Sequence, residues 1–139
     1  MRVIGYLIIL MISCVGCMQN GDLQNEKNYI LIRTDSDNHF LSSKILVNKY
    51  DTSKRLILLF WDNGKVMSKG FFNSKVRDGS NENFYINGQL QNKEYYENGI
   101  KKGQQKKYYF NGILKSVETY ENGKLSGSEE FDTLGNKIK

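Results

Sequence analysis

Residues 96–103 read YENGIKKG and residues 120–127 read YENGKLSG, two versions of one phrase set 24 residues apart. Asn-Gly recurs in the same phase elsewhere. It stands at 63–64, 87–88 and 111–112, and a second series runs through 98–99 and 122–123, with Asn73-Ser74 as its degraded first member. Phe60, Phe72, Phe84, Tyr96, Tyr108 and Tyr120 follow one another every 12 residues without a slip. Gly79, Gly103 and Gly127 complete a 24-residue unit. Fixed self-similarity at this length marks a repeat architecture, in which a unit cannot bury a face alone and must stack on its neighbours.

The unit reads as β. A Gly or Asn-Gly every dozen residues leaves no room for a long helix, and the absence of proline agrees with continuous strand pairing. Asn-Gly supplies positive φ at low cost, which a type I′ hairpin turn requires at both central residues. The expected unit is strand, tight Asn-Gly turn, strand, wider Gly-closed loop, with the YENG segments as the wider loops. With Asn111-Gly112 as a two-residue turn, Phe110 opposes Ile113 and Tyr109 opposes Leu114. The same arithmetic pairs Tyr85 with Leu90 and Trp61 with Val66. Phe72, Tyr96 and Tyr120 then share that face, and Phe60, Phe71, Phe84, Tyr95, Tyr108 and Val117 take the other. The pairs mark the better core face. Phe71, Phe84, Tyr95 and Tyr108, mixed with Gln91, Lys93 and Lys115, form the candidate binding face, because tyrosine among polar groups suits recognition.

Upstream of the repeats, YILIR (29–33), KILVNKY (44–50) and RLILLFW (55–61) are rich in β-branched and aromatic residues and read as strands. Asp51 to Lys54 is a hairpin turn between the last two. The fold class is therefore all-β: an elongated antiparallel meander of about three hairpin repeats, capped by N-terminal strands. Residues 28–58 form the cap and 59–139 the repeat domain.

The first 17 residues, MRVIGYLIILMISCVGC, differ in kind. Arg2 precedes an almost wholly apolar run from Val3 to Val15, shorter than the roughly 20 residues that span a bilayer. It fits the apolar region of a secretion signal. Both cysteines of the chain, Cys14 and Cys17, close this run, and each follows a small residue. The pattern resembles the bacterial lipobox, with residues 1–17 as the lipoprotein signal segment, which implies lipidation of Cys17, with Cys14 as the alternative, and cleavage that leaves the lipidated cysteine as residue one. Residues 18–27, MQNGDLQNEK, are polar and aperiodic and read as a tether. The resulting expectation is a protein anchored to a membrane through lipid, in the cell envelope, facing away from the cytoplasm.

Tyr96 to Gly103 followed by Tyr108-Tyr109-Phe110-Asn111-Gly112 resembles the MORN-repeat variant family over roughly Leu59 to Lys139. Bacterial members are often labelled as the antitoxin half of toxin–antitoxin systems. The resemblance implies an elongated antiparallel sheet that binds proteins or lipids, without catalytic residues or a cofactor. With export, the antitoxin label implies immunity against a toxin in the envelope. The end copies depart from the pattern at Lys75 and Phe131, as terminal repeats do.

Little else points to chemistry. The single histidine, His39, lies near Asp35 and Asp37, but a calcium loop begun at Asp35 would place Phe40 and Leu46 where Gly and Glu are needed. No metal site is expected. Glu94 and Glu118 are equivalent repeat positions, and a repeat creates such columns automatically. The net charge of +5 comes from lysines interleaved with acids. It reads as a solvated surface rather than a nucleic-acid footprint. Two functions from different classes follow: a monomeric module that binds a protein partner, or an envelope protein whose basic repeats contact anionic lipid.

Overall fold

The structure, a computed structural model, describes residues 27–36 and 42–138. The secretion-signal run with Cys14 and Cys17, the tether up to residue 26, and Asp37 and His39 lie outside the described residues. The described chain forms a single antiparallel meander of ten strands. In chain order these are β1 (Tyr29–Ser36), β2 (Ser42–Asn48), β3 (Lys54–Phe60), β4 (Val66–Asn73), β5 (Val76–Phe84), β6 (Leu90–Glu97), β7 (Ile100–Lys101), β8 (Gly103–Tyr108), β9 (Leu114–Glu121) and β10 (Lys124–Glu130). Each strand pairs with its successor, except that the short β7 and the longer β8 both pair with β6. The all-β class and the order of elements are as the repeat demanded.

The turns are of two kinds, one at each end of the strands. At the first kind, Trp61 N–H donates to Lys65 O and Gly64 N–H donates back to Trp61 O, both at 2.8 Å. Tyr85 with Gln89 and Tyr109 with Ile113 repeat this pattern, and Asp132 with Asn136 adds a fourth copy. Only the glycine has positive φ: 78° at Gly64, 92° at Gly88 and 84° at Gly112. These are three-residue loops closed by a glycine bulge, not the two-residue type I′ turns expected from the dipeptide. Next to the turn the pairing therefore slips by one residue, and a bulge one pair further on restores the expected register. Val66 faces Phe60, Leu90 faces Phe84 and Leu114 faces Tyr108, instead of Trp61, Tyr85 and Tyr109. A one-residue slip moves a side chain to the other face, so Val66, Leu90 and Leu114 join the face of Phe84 and Tyr108.

The second kind occupies the YENG segments, and these are the tight turns. Asn98 and Gly99 have φ of 50° and 82°, Asn122 and Gly123 of 49° and 78°. Glu97 pairs with Ile100 and Glu121 with Lys124 across them. These are the two-residue loops with positive φ at both positions.

The three-residue turns are tied to one another in a column. Trp61 Nε1–H donates to Phe84 O at 3.2 Å, Tyr85 O–H to Tyr108 O at 2.8 Å, and Tyr109 O–H to Phe131 O at 2.9 Å. Beside them, the amides of Asn63, Asn87 and Asn111 donate to Ile86 O, Phe110 O and Thr133 O of the following turn. Each asparagine also accepts, through Oδ1, an N–H of its own turn, from Lys65, Gln89 or Ile113. One side chain thus shapes its turn and fastens the next repeat. This is the nearest-neighbour interface that a stacked repeat needs.

Buried apolar side chains occur on both faces of this single sheet. Leu56, Phe71 and Val117 lie on one face, Val47 and Tyr96 on the other. Leu56 is 2% exposed and Phe71 4%. The Tyr29 ring meets the Phe71 ring edge-on at 5.8 Å although two strands lie between β1 and β4. The sheet therefore curls over its Leu56 face at the N-terminal end. Bulges contribute to this shape. Two steps along β4, from Gly70 to Phe72, match four along β5, from Asn81 to Arg77. One repeat later, the three steps from Lys93 to Tyr96 match five from Lys106 to Lys101. Gly79 and Gly103 sit in these bulges with φ of 111° and 68°. A Cβ on Gly79 would approach Phe71 Cβ to 3.2 Å.

Candidate binding surface

Cross-strand register places Phe71, Phe84, Tyr95 and Tyr108 on one face. Phe71 pairs with Leu56, Tyr95 with Ser80, Phe84 with Leu90 and Tyr108 with Leu114. Their environments differ. Phe71 is buried, Phe84 and Tyr108 are half-buried, and Tyr95 is 47% exposed. Burial raises the Tyr108 hydroxyl above the usual tyrosine range; the Lys93 charge opposes this and Glu82 adds to it. Tyr108 thus stays a neutral donor well past physiological pH.

A row of charges crosses this face. Lys69, Glu82, Lys93 and Lys106 are successive cross-strand partners on β4, β5, β6 and β8. Lys93 and Glu82 form an ion pair at 2.9 Å. Lys69 and Glu82 are buried in this row, and Lys69 lies 5.7 Å from the Phe71 ring centre. The long stems of such lysines cover apolar surface while the charged ends stay partnered.

Two shallow hollows indent the sheet. One, of about 190 Å³, lies at the curled end, where Tyr29, Phe71, Gly79 and Tyr95 meet Lys54 and Asp78. Burial raises the Tyr29 hydroxyl, while a hydrogen bond with Asn48 acts in the opposite sense. The other hollow, of about 310 Å³, is polar and is lined by Asn83, Tyr85, Asn92, Lys107, Tyr108 and Lys115 among others. Asn92 Oδ1 is buried there with no protein partner among the described residues. Such a group is normally satisfied.

The opposite face carries Glu94 and Glu118, and the repeat has surrounded them alike. Tyr96 O–H donates to Glu94 and Tyr120 O–H to Glu118, at 3.0 and 3.1 Å. Arg77 lies over the Tyr96 ring and Lys101 over the Tyr120 ring, both at 5.2 Å. Lys101 also pairs with Glu94 and Lys107 with Glu118. The hydrogen bond from Lys107 holds the Glu118 carboxyl below the usual range; burial acts against it. These boxes join neighbouring strands, and each carboxylate is fully engaged.

Gln105 was not singled out by sequence. It is 2% exposed. Its Oε1 accepts Tyr95 N–H at 2.7 Å, and its Nε2 donates to Tyr95 O at 3.2 Å and Lys102 O at 2.9 Å. The side chain thereby replaces the backbone partner that the bulge takes away from Tyr95. The available signal was the repeat itself, since Asn81, another amide, stands one period earlier.

The described residues thus define a stacked-hairpin repeat sheet with a mixed aromatic and charged face. No protein-family model and no curated protein matches the chain. Among solved structures, TarM resembles it at 18% identity and a TM-score of 0.39, covering 76% of this chain and 22% of that one. A glycine-to-arginine mutant of S. aureus TarM, in complex with Fondaparinux, alpha-GlcNAc-glycerol and UDP, gives a TM-score of 0.40 at the same identity and coverage. The chain spans about a fifth of the length of these neighbours.

Proposed function

We propose that this chain is a bacterial envelope lipoprotein whose MORN-like repeat sheet is a non-catalytic module that binds a protein partner, in an antitoxin or immunity role. Cys17, with Cys14 as the alternative, carries the lipid. The binding face is that of Phe71, Phe84, Tyr95 and Tyr108. The observation that carries this reading is the setting of Tyr95. Its ring is half exposed on a face shared with three other aromatics, next to a Glu82–Lys93 pair. A rigid amphipathic ring beside satisfied charges is the composition of protein recognition surfaces. Contact with anionic lipid is disfavoured by the same charges. Lys93, Lys101, Lys102, Lys107 and Lys137 are each paired with a carboxylate, which leaves less free positive charge for headgroups.

A photo-crosslinking amino acid placed at position 95 of the full chain, in the bacterial envelope, should give one discrete protein adduct that Tyr108→Ser weakens. The same probe at position 120, on the other face, should not. Adducts of equal yield from both positions, or adducts to lipid alone, would overturn the assignment. Labelling with a clickable palmitate tests the anchor separately. The label should be lost in Cys17→Ser, and its survival in a Cys14→Ser/Cys17→Ser double variant would exclude lipidation at this run.

A further inference from the structure

Six Asn-Gly dipeptides make this chain rich in the sequence most open to spontaneous deamidation; Asn20-Gly21 lies outside the described residues, and the other five lie within them. In that reaction the glycine nitrogen, having lost its proton to a solvent base, attacks the asparagine Cγ. The new C–N bond closes a succinimide ring, the side-chain amide leaves as ammonia, and water then opens the ring to aspartate or isoaspartate. Two things slow it: a captured side-chain amide, and a glycine N–H already committed to a hydrogen bond. The five sites differ in both.

At 63–64, 87–88 and 111–112 both groups are held. Each asparagine amide donates to the next turn and each Oδ1 accepts from its own. Gly64, Gly88 and Gly112 N–H donate to Trp61 O, Tyr85 O and Tyr109 O. At 98–99 the glycine nitrogen is held, since Gly99 N–H donates to Arg77 O at 2.8 Å, and the turn is fastened further by Asn98 N–H to Asp78 Oδ1 at 3.1 Å. At 122–123 neither contact is present among the described residues, and both residues are exposed. The sequence explains the missing contact to the asparagine N–H. The position equivalent to Asp78 is Lys102, which has no acceptor to offer and pairs with Glu97 instead.

We propose that Asn122-Gly123 is a built-in modification site, the one among the five described Asn-Gly sequences where deamidation outruns the other four. Its product acts on the sheet edge. Isoaspartate adds a backbone methylene to a two-residue loop whose register is set by Glu121 opposite Lys124. Aspartate adds a carboxylate next to Glu121. Among the described residues strand β10 pairs only with β9, so it is the strand that loosens.

The test is to hold the full chain folded at mildly alkaline pH and, in parallel, unfolded in urea, and to follow all five sites by peptide mapping that resolves aspartate from isoaspartate. In urea the five should convert at similar rates. In the folded chain position 122 should lead the three ladder sites by at least about tenfold, because those must first open locally to react. It should also lead position 98. Equal rates in the folded chain, or conversion led by 98 or by a ladder site, would overturn the proposal. Lys102→Asp restores the missing acceptor and should slow conversion at 122 alone; an unchanged rate in a variant with wild-type melting would count against the mechanism.

Discussion

Strands β1–β4 and strands β6–β10 share one sheet but are held differently. The first region is fastened mainly by apolar burial: Val47, Leu56 and Phe71 are its buried apolar side chains, and the Tyr29 ring closes over Phe71. The second buries Tyr96 and Val117, but also Gln105 and Ser116, and it rests on ladders of side-chain hydrogen bonds and ion pairs. A single-layer sheet offers no opposing layer to bury against. The repeats answer by making each turn a partner for the next, while the cap answers by curling. Hydrogen bonds and exposed ion pairs each contribute little, so the repeat region depends on their number and the cap on a few large side chains.

Truncating the cap core should therefore produce the largest loss. Leu56→Ala leaves a hole at a site with 2% exposure, and a cost of about 2–5 kcal/mol is expected by denaturant titration. A cost similar to that of an exposed leucine would erase the distinction between the regions. Next comes Gln105→Ala, which strips Tyr95 N–H of its partner at 2.7 Å in a part-buried setting. A loss of about 1–3 kcal/mol is expected, with hydrogen exchange of the Tyr95 amide rising more than that of its neighbours.

Single rungs of the ladder should matter less. Tyr85→Phe and Tyr109→Phe each delete one hydroxyl bond to a carbonyl, worth about 0.5–1.5 kcal/mol. Because the two rungs are equivalent and share no partner, their double variant should be additive to within about 0.5 kcal/mol. Strong coupling would mean that the repeats do not act as nearest neighbours. The smallest effect is electrostatic. The Glu118 carboxyl is held below its ordinary range, first by Lys107, so the unfolded chain binds its proton more readily. That stabilisation is present above the ordinary carboxylate range and is lost as pH falls through the folded value. Glu118→Gln should leave the acid limb of the stability profile shallower and change little near neutrality. A steeper limb would contradict the sign.

The period of 24, the aromatic every 12 residues and the absence of proline were enough to derive an all-β meander with hairpin repeats, because strand alternation and turn chemistry are local properties. Sequence also located the turns. It did not decide their kind. Asn63-Gly64 and Asn122-Gly123 are the same dipeptide, yet one has positive φ at glycine alone and the other at both residues. The flanking pairs differ: Trp61 N–H pairs with Lys65 O across the first, and Glu121 pairs with Lys124 across the second. The three-residue form also occurs at Asp132–Asn136, where no later turn follows among the described residues, so the bond from Asn63 to Ile86 O fastens its turn without choosing its kind. The three-residue form shifts the pairing next to the turn by one residue and carries Leu90 and Leu114 onto the face of Phe84 and Tyr108. The role of Gln105 was hidden because it compensates a bulge that exists only once β6, β7 and β8 are paired. Local chemistry wrote the unit, and the pairing of strands across its turns decided its faces.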